Sequence, residues 1–124
     1  MKIIEAITHI DAVKPNSYQL PEKIRWLSEI DGLIKSEIID THEGGEKISF
    51  SGYTDDTDPN TELLVPAPYD EIYIRYLEMQ IDYANNEYRK YNNSMMMYNT
   101  AYTTYLLHYN RNHLPKSSGR RFIF

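Results

Sequence analysis

Histidine is the residue type best able to hold a metal ion in this chain of 124 residues, because the chain contains no cysteine. The four histidines are His9, His42, His108 and His113. Only the last two are close in sequence, and their spacing does not bring both rings to one face of a helix. Without cysteine, disulfides, thiolate ligands and thiol nucleophiles are excluded. The sequence therefore predicts no metal site and no thiol chemistry.

A run of alternating oxygen-bearing side chains is similar to the start of a calcium-binding loop. Its members are Asp56, Asp58, Asn60 and Glu62. A calcium loop of this kind needs glycine at its sixth position and a bidentate acid at its twelfth, where this chain has Thr61 and Ala67. Calcium binding is therefore not predicted.

Nucleotide binding and acyl transfer have no better support. The glycines form no phosphate-binding loop, since none is followed by a lysine–serine pair. Ser117 and Ser118 lie in a basic tail without a neighbouring base, and adjacent acids such as Asp55 and Asp56 are better explained as turn residues. We predict that the protein is not an enzyme and has no catalytic residue and no cofactor.

The composition indicates a single domain with a modest core, since 41% of the residues are apolar. A net charge of −5 at pH 7 argues against a broad surface for phosphate backbone, so no specific nucleic acid binding is expected. Glu5 and Asp11 interrupt the N-terminal apolar residues, which therefore do not resemble a signal peptide. No stretch is long enough to span a bilayer, and we expect a soluble protein without membrane contact.

Most of the chain is predicted to be helical. Apolar residues recur at helical spacing from Ile3 to Val13, and again from Ile24 to Ile38 behind Pro21, a proline suited to a first helical turn. The sequence therefore predicts a short first helix and a longer second one.

The middle of the chain is an acidic insertion at about 41–66. Between residues 40 and 62 there are seven acids and one lysine. Ile48 and Phe50 alternate with polar residues, which predicts a short strand, and the apolar residues 63–65 are a candidate partner for it in a long-looped hairpin. The insertion is thus expected to be a β-hairpin or a loop.

A helical pattern without glycine or proline extends from Tyr69 to Leu114. Apolar and tyrosine residues follow a heptad repeat from Ile74 to Tyr109, which predicts either one helix of about 65 Å or a helical hairpin that turns at 92–94. Coiled-coil dimerisation is a further explanation of the repeat. The fold class is mainly α: a small helical domain at 1–115 with one long C-terminal helix or helical hairpin, followed by a basic and apolar arm at 116–124.

Three groups of residues are candidates for contacts with other proteins. Tyrosine combines a large apolar ring with a hydroxyl that needs a partner, which suits interfaces, and the chain has twelve. The alternative is packing inside the chain. The candidate contact aromatics are Tyr98, Tyr102, Tyr105 and Tyr109. The candidate docking arm is Arg120, Arg121, Phe122 and Phe124, with Asp55, Asp56 and Asp58 as its acidic counterpart. For these two groups the alternatives are a disordered terminus and a solvated turn.

Several strings of the sequence are distinctive without carrying a catalytic mechanism: LLVPAPYDE, YNNSM and NRNHLP. Over roughly 16–115 the chain resembles small proteins of Firmicute prophages and siphophages whose genes lie among those for portal, capsid and tail proteins. The resemblance implies a head–tail connector, also called an adaptor or head completion protein. It implies a homo-oligomeric ring between the portal protein and the tail or stopper proteins, located in the virion and assembled in the bacterial host cytoplasm.

The charge pattern is compatible with a ring, which is built from one patch meeting a different patch on the next subunit. Residues 40–62 carry −6 and residues 111–124 carry +4, so one chain offers two unlike patches. Two other functions stay open. One is a helical protein-interaction or regulatory module, which predicts a monomer or small dimer, and the other is a different minor virion assembly protein.

Overall fold

The computed structural model describes residues 1–116, and within them the chain is mainly helical, which confirms the predicted fold class. A π-helical turn, Lys35–Ile39, continues the second helix, and a 3-10 turn, Gly45–Lys47, lies in the acidic insertion. The four α-helices are α1 (Ile3–Val13), α2 (Leu20–Ile34), α3 (Glu71–Ala84) and α4 (Tyr88–Asn112).

The first two helices form where the apolar spacing predicts them. One face of α1 is buried, and the helix ends at Val13, just before Lys14 and Pro15. Pro21 lies in the first turn of α2, where its missing N–H costs no hydrogen bond. Both helices pack against α3, which is also the partner of α4. The helix α3 is therefore the centre of the core.

The C-terminal half is a helical hairpin, and its turn lies earlier than predicted. The chain reverses at Asn85–Glu87, where Asn86 has a φ of 60° and Glu87 donates its N–H to the carbonyl of Asp82 at 2.9 Å. Asparagine tolerates this left-handed conformation better than most residues. The predicted turn at 92–94 is wrong, because these residues lie inside α4, where Ser94 bonds to α3.

The acidic insertion is a loop, and the strand predicted at Ile48 and Phe50 is wrong. Ile48 is exposed, and the Phe50 ring packs edge-on against Tyr53 at 5.1 Å between centroids. The proposed partner residues 63–65 are used elsewhere, because Leu63 donates its N–H to the carbonyl of Met1. Within 1–116 the only extended pairings are two isolated bridges, Lys2 with Glu62 and His42 with Pro115.

Candidate functional site

The four candidate tyrosines follow one another along α4, and three of them lie in the core of the chain itself. Tyr98, Tyr105 and Tyr109 are buried, whereas Tyr102 is half-buried and donates its hydroxyl to the Glu37 carboxylate at 2.6 Å. The Tyr98 ring meets Tyr76 of α3 at 5.2 Å between centroids. The alternative interpretation, packing inside the chain, therefore describes these rings, and only Tyr102 keeps an edge open to a partner.

Burial changes the acidity of these phenols. It raises the pKa of Tyr105 to about 12, and it raises the pKa of Tyr98 further, where Tyr76 and the negative charge of Glu37 add to the effect of burial. For Tyr102, burial is again the main cause of a raised pKa, and the hydrogen bond to Glu37 adds to it. All three phenols therefore stay neutral at physiological pH, which suits a packing role.

A buried carboxylate on α2 joins three segments of the chain. Asp31 is fully buried and accepts hydrogen bonds from the Tyr73 hydroxyl at 2.6 Å, the Tyr53 hydroxyl at 2.5 Å and the Leu64 N–H at 3.0 Å. The Tyr73 hydroxyl in turn accepts the N–H of Val65 at 2.7 Å. Burial raises the pKa of Asp31, while these donors oppose the rise. The carboxylate thus fixes the middle of the acidic loop, at Tyr53, and its C-terminal end, at Leu64, to the core.

A second buried carboxylate joins three helices. Asp82 of α3 pairs with the Lys14 ammonium, at the end of α1, at 2.9 Å and accepts a hydrogen bond from Ser94 of α4 at 2.5 Å. Asp82 is fully buried, so removing either partner leaves charge in a medium that solvates it poorly. Like Asp31, this group is occupied within the chain and structural in character.

His42 holds the end of α4 in place, a structural role that the sequence analysis did not predict. His42 is buried, with Nδ1 at 2.6 Å from the Ile38 carbonyl and Nε2 at 2.7 Å from the side chain of Asn110. Its ring lies edge-on against Tyr109 at 4.9 Å between centroids, and the Tyr109 ring also stacks on His113 at 3.8 Å. Within residues 1–116, no group of three or more histidine or acidic side chains is arranged to hold a metal ion.

The segment after α4 is paired with the start of the acidic loop. Glu43 donates its N–H to the Leu114 carbonyl at 2.8 Å, and Lys116 donates its N–H to the Thr41 carbonyl at 3.1 Å. This pairing fixes where the C-terminal arm begins. The arm residues predicted to dock, Arg120, Arg121, Phe122 and Phe124, lie outside the described residues.

The predicted acidic counterpart is an exposed turn. Asp55 and Asp56 are exposed in a turn closed by the Thr57 N–H on the Thr54 carbonyl at 3.0 Å. Asp58 is also exposed, and its carboxylate caps the N–H of Asn60 at 2.9 Å. The three acids therefore face solvent together, and their pairing with the arm stays a prediction.

The outer face of α4 is the surface feature that sequence reasoning missed. No charged residue occurs between Lys90 and Arg111, although a quarter of the chain is charged. Seven of the exposed residues in this stretch share one side of the helix, and we call them the neutral face of α4. They are Asn93, Met96, Met97, Thr100, Thr103, Thr104 and Leu107. The signal was readable in the sequence, as a helical segment of about 20 residues without charge, which is rare on a solvated helix.

The fold defines the class of this protein as a small helical domain with an uncharged outer face on its last helix. Comparisons with protein families, with curated proteins and with solved structures gave no match. None of the helices in the described part of the chain is both long and apolar enough to cross a bilayer.

Proposed function

We propose that this protein is a structural subunit of the head–tail junction of a tailed phage or prophage, where it forms or joins a ring between the portal and the tail proteins. The observation that carries the proposal is the neutral face of α4, an exposed helix surface without charge. Charged residues are depleted at the centres of protein interfaces, and methionine is enriched there.

Two further observations support an assembly role. The buried carboxylates of Asp31 and Asp82 are bonded to other segments of the chain, so they have a structural role and hold those segments together. The distinctive strings that resemble prophage proteins also coincide with segments that pack against other parts of the chain or begin the neutral face. LLVPAPYDE leads into α3, YNNSM begins the neutral face, and NRNHLP contains Asn110 and the pairing at Leu114.

The test is co-elution with purified portal protein from the same phage or prophage, followed by light scattering. The full chain is compared with a version that ends at Lys116, so that the pairing between Lys116 and Thr41 is kept. We expect the full chain to bind the portal as a ring and the shortened chain to bind less tightly, because it lacks the arm.

One outcome would contradict the proposed function. If the full chain neither binds the portal nor assembles in its presence, the head–tail proposal is wrong. A monomer or small dimer that captures a different protein through α4 would instead support the helical interaction module.

A further inference from the structure

A groove of about 410 Å³ lies between the first half of α2 and the acidic loop, and we call it the loop groove. Its apolar surface comes from Pro21 and Ile24 of α2 and from the Tyr53 ring of the loop. The Tyr53 ring is held in place, because its hydroxyl donates to Asp31 at 2.5 Å and the Phe50 ring packs edge-on against it. The groove is therefore formed before a partner arrives, and it is large enough for an aromatic side chain.

Acidic side chains dominate the charge of the loop groove. Among residues 1–116, Arg25 is the only base that lines it, and Arg25 pairs with both Glu22 and Glu29. Asp55 also lines the groove, and neither Asp55 nor the exposed Asp56 beside it forms an ion pair within residues 1–116. The negative charge thus remains after the ion pairs are counted. The groove favours a ligand that carries both positive charge and an apolar ring.

The C-terminal arm at 116–124 has this chemistry. Two adjacent arginines, Arg120 and Arg121, are followed directly by Phe122, and Phe124 comes two residues later. A guanidinium can bind a carboxylate through two parallel hydrogen bonds, and a phenylalanine ring gains stability when it is buried against apolar surface. The arm therefore offers the positive charges and the rings in one short stretch.

The chain has one other pair of adjacent bases next to aromatic residues, at 88–91, and that pair is already occupied. It lies in the first turn of α4, where Lys90 pairs with Glu87 at 2.8 Å and the Tyr91 ring contacts Tyr83 at 5.3 Å between centroids. The arm is thus the better candidate for the loop groove.

The arm of a neighbouring copy fits the loop groove better than the arm of the same copy. The arm starts beside Thr41, where the Lys116 N–H bonds to the Thr41 carbonyl at 3.1 Å. The groove lies near Arg25, about 20 Å farther back along α2, whereas the Cα of Arg120 can lie at most ~14 Å from that of Lys116. Within one copy the arm would have to be fully extended along α2, where the acidic loop already packs.

We infer that the arm of one copy docks in the loop groove of the next copy, with its arginines beside Asp55 and Asp56 and a phenylalanine ring against the apolar surface. This inference rests on the proposed function, because it supplies the ring with a contact between subunits. Each copy gives one arm and receives another, and such a contact closes into a ring when the rotation between neighbours permits. Exposed ion pairs are individually weak, so one arm binds weakly and a closed ring of arms is stable.

Disulfide cross-linking between full-length chains tests this contact, because the natural chain has no cysteine. The variants are Thr54→Cys in the loop groove, Ser118→Cys in the arm and Thr100→Cys as an exposed control on α4. Single variants are mixed in pairs at high concentration and oxidised, with a tag on one chain so that the mixed dimer can be separated. We expect several-fold more mixed dimer from Thr54→Cys with Ser118→Cys than from Thr100→Cys with Ser118→Cys.

Charge reversal separates the inferred contact from random collisions of the arm. Asp55→Arg in the chain with the groove cysteine should lower the yield of mixed dimer several-fold, because it places like charges together. The matched control is Glu46→Arg, which changes the net charge equally at an exposed residue outside the groove and should leave the yield unchanged. Arg120→Glu with Arg121→Glu in the chain with the arm cysteine should then restore the yield of the Asp55→Arg chain.

Three results would overturn the inference. One is an equal yield from the groove cysteine and the control cysteine, and another is a yield that Asp55→Arg leaves unchanged. The third is a chain with both Thr54→Cys and Ser118→Cys that closes its disulfide internally without forming dimer, because the arm then docks on its own copy. If the full chain still binds the portal as a ring in these cases, the proposed function stands. An excess of the expected dimer without any binding to the portal supports the contact and counts against the head–tail role.

Discussion

At the scale of single residues, Asp31 is the carboxylate that holds the acidic loop against α2 and α3. It accepts hydrogen bonds from Tyr53 and Leu64 of the acidic loop and from Tyr73 of α3. A buried carboxylate needs all of its hydrogen-bond donors. Each lost hydrogen bond lowers the stability of the fold, because the negative charge then lacks both water and a donor to solvate it.

The pH dependence of stability should reveal this carboxylate. Burial raises the pKa of Asp31 in the folded chain, so the folded chain holds this proton to a higher pH than the unfolded chain does. The contribution of Asp31 to the free energy of unfolding therefore falls as pH rises from its unfolded to its folded pKa. In Asp31→Asn this fall is absent. Urea unfolding across that range should show the stability of the natural chain decreasing relative to Asp31→Asn, and a relative increase would contradict the raised pKa.

Two adjacent glycines at the turn after the π-helical segment should respond differently to alanine. A Cβ on Gly45 would lie 2.2 Å from the carbonyl oxygen of Ile39, which is backbone and cannot move aside. Gly44 has open space around it but a φ of +86°. We expect Gly45→Ala to lower the free energy of unfolding by about 2–3 kcal/mol through overpacking, and Gly44→Ala by about 1 kcal/mol through backbone strain. Thermal melts of both variants test this, and equal losses would contradict the close approach at Gly45.

At the scale of elements, the helical hairpin depends on its turn. Asn86 has positive φ, and its side chain accepts a hydrogen bond from the Tyr88 hydroxyl at 3.0 Å. We expect Asn86→Val to lower stability by about 1–2 kcal/mol and Asn86→Gly to stay within about 0.5 kcal/mol of the natural chain. Chemical denaturation of the two variants provides the measurement.

The matched control for that turn is Asn92→Ala, in the segment that the sequence had suggested as the reversal. Asn92 lies exposed inside α4, so alanine should be neutral or stabilise by about 0.5 kcal/mol through its higher helix propensity. A clear loss of stability in Asn92→Ala would place the reversal at 92–94 after all.

The elements were predictable where a local pattern decides them. Helices α1 and α2 follow from apolar spacing and from the prolines near their ends, and their boundaries agree closely with the structure. The hairpin turn was missed because Asn85–Asn86 and Asn92–Asn93 carry the same local signal. The choice between them depends on long-range contacts such as Asp82 with Ser94, which a repeat in the sequence does not encode.

The site was predictable to a smaller degree, again for physical reasons. The tyrosine repeat correctly marked the packed face of α4 but was assigned to an interface, because burial by α3 requires the turn position. Asp31 lies among the apolar residues of α2, and an acid in that position was a readable sign of a buried polar cluster. The loop was predicted to contain a strand from the alternation at Ile48 and Phe50, yet a strand needs a partner, and residues 1–116 provide none.

For the molecule as a whole, the distribution of charge predicts how the proposed assembly responds to salt. Residues 40–62 carry −6 and residues 111–124 carry +4, so unlike patches of neighbouring subunits attract, and about 0.5 M salt reduces the range of this attraction to a few ångströms. We expect assembly of the full chain on the portal, followed by light scattering, to weaken from low to high salt. Unchanged assembly would show that charge does not decide the contact.

The central position of α3 also sets the order in which the fold forms. A hairpin of neighbouring helices closes only a short loop, so α3 and α4 can associate within microseconds once both exist. The apolar faces of α1 and α2, in contrast, need a partner that is synthesised later. At ~5–20 residues per second, several seconds pass between the emergence of Ile34 and that of Ala84. We therefore expect the N-terminal helices to complete their packing only after α3 has been synthesised.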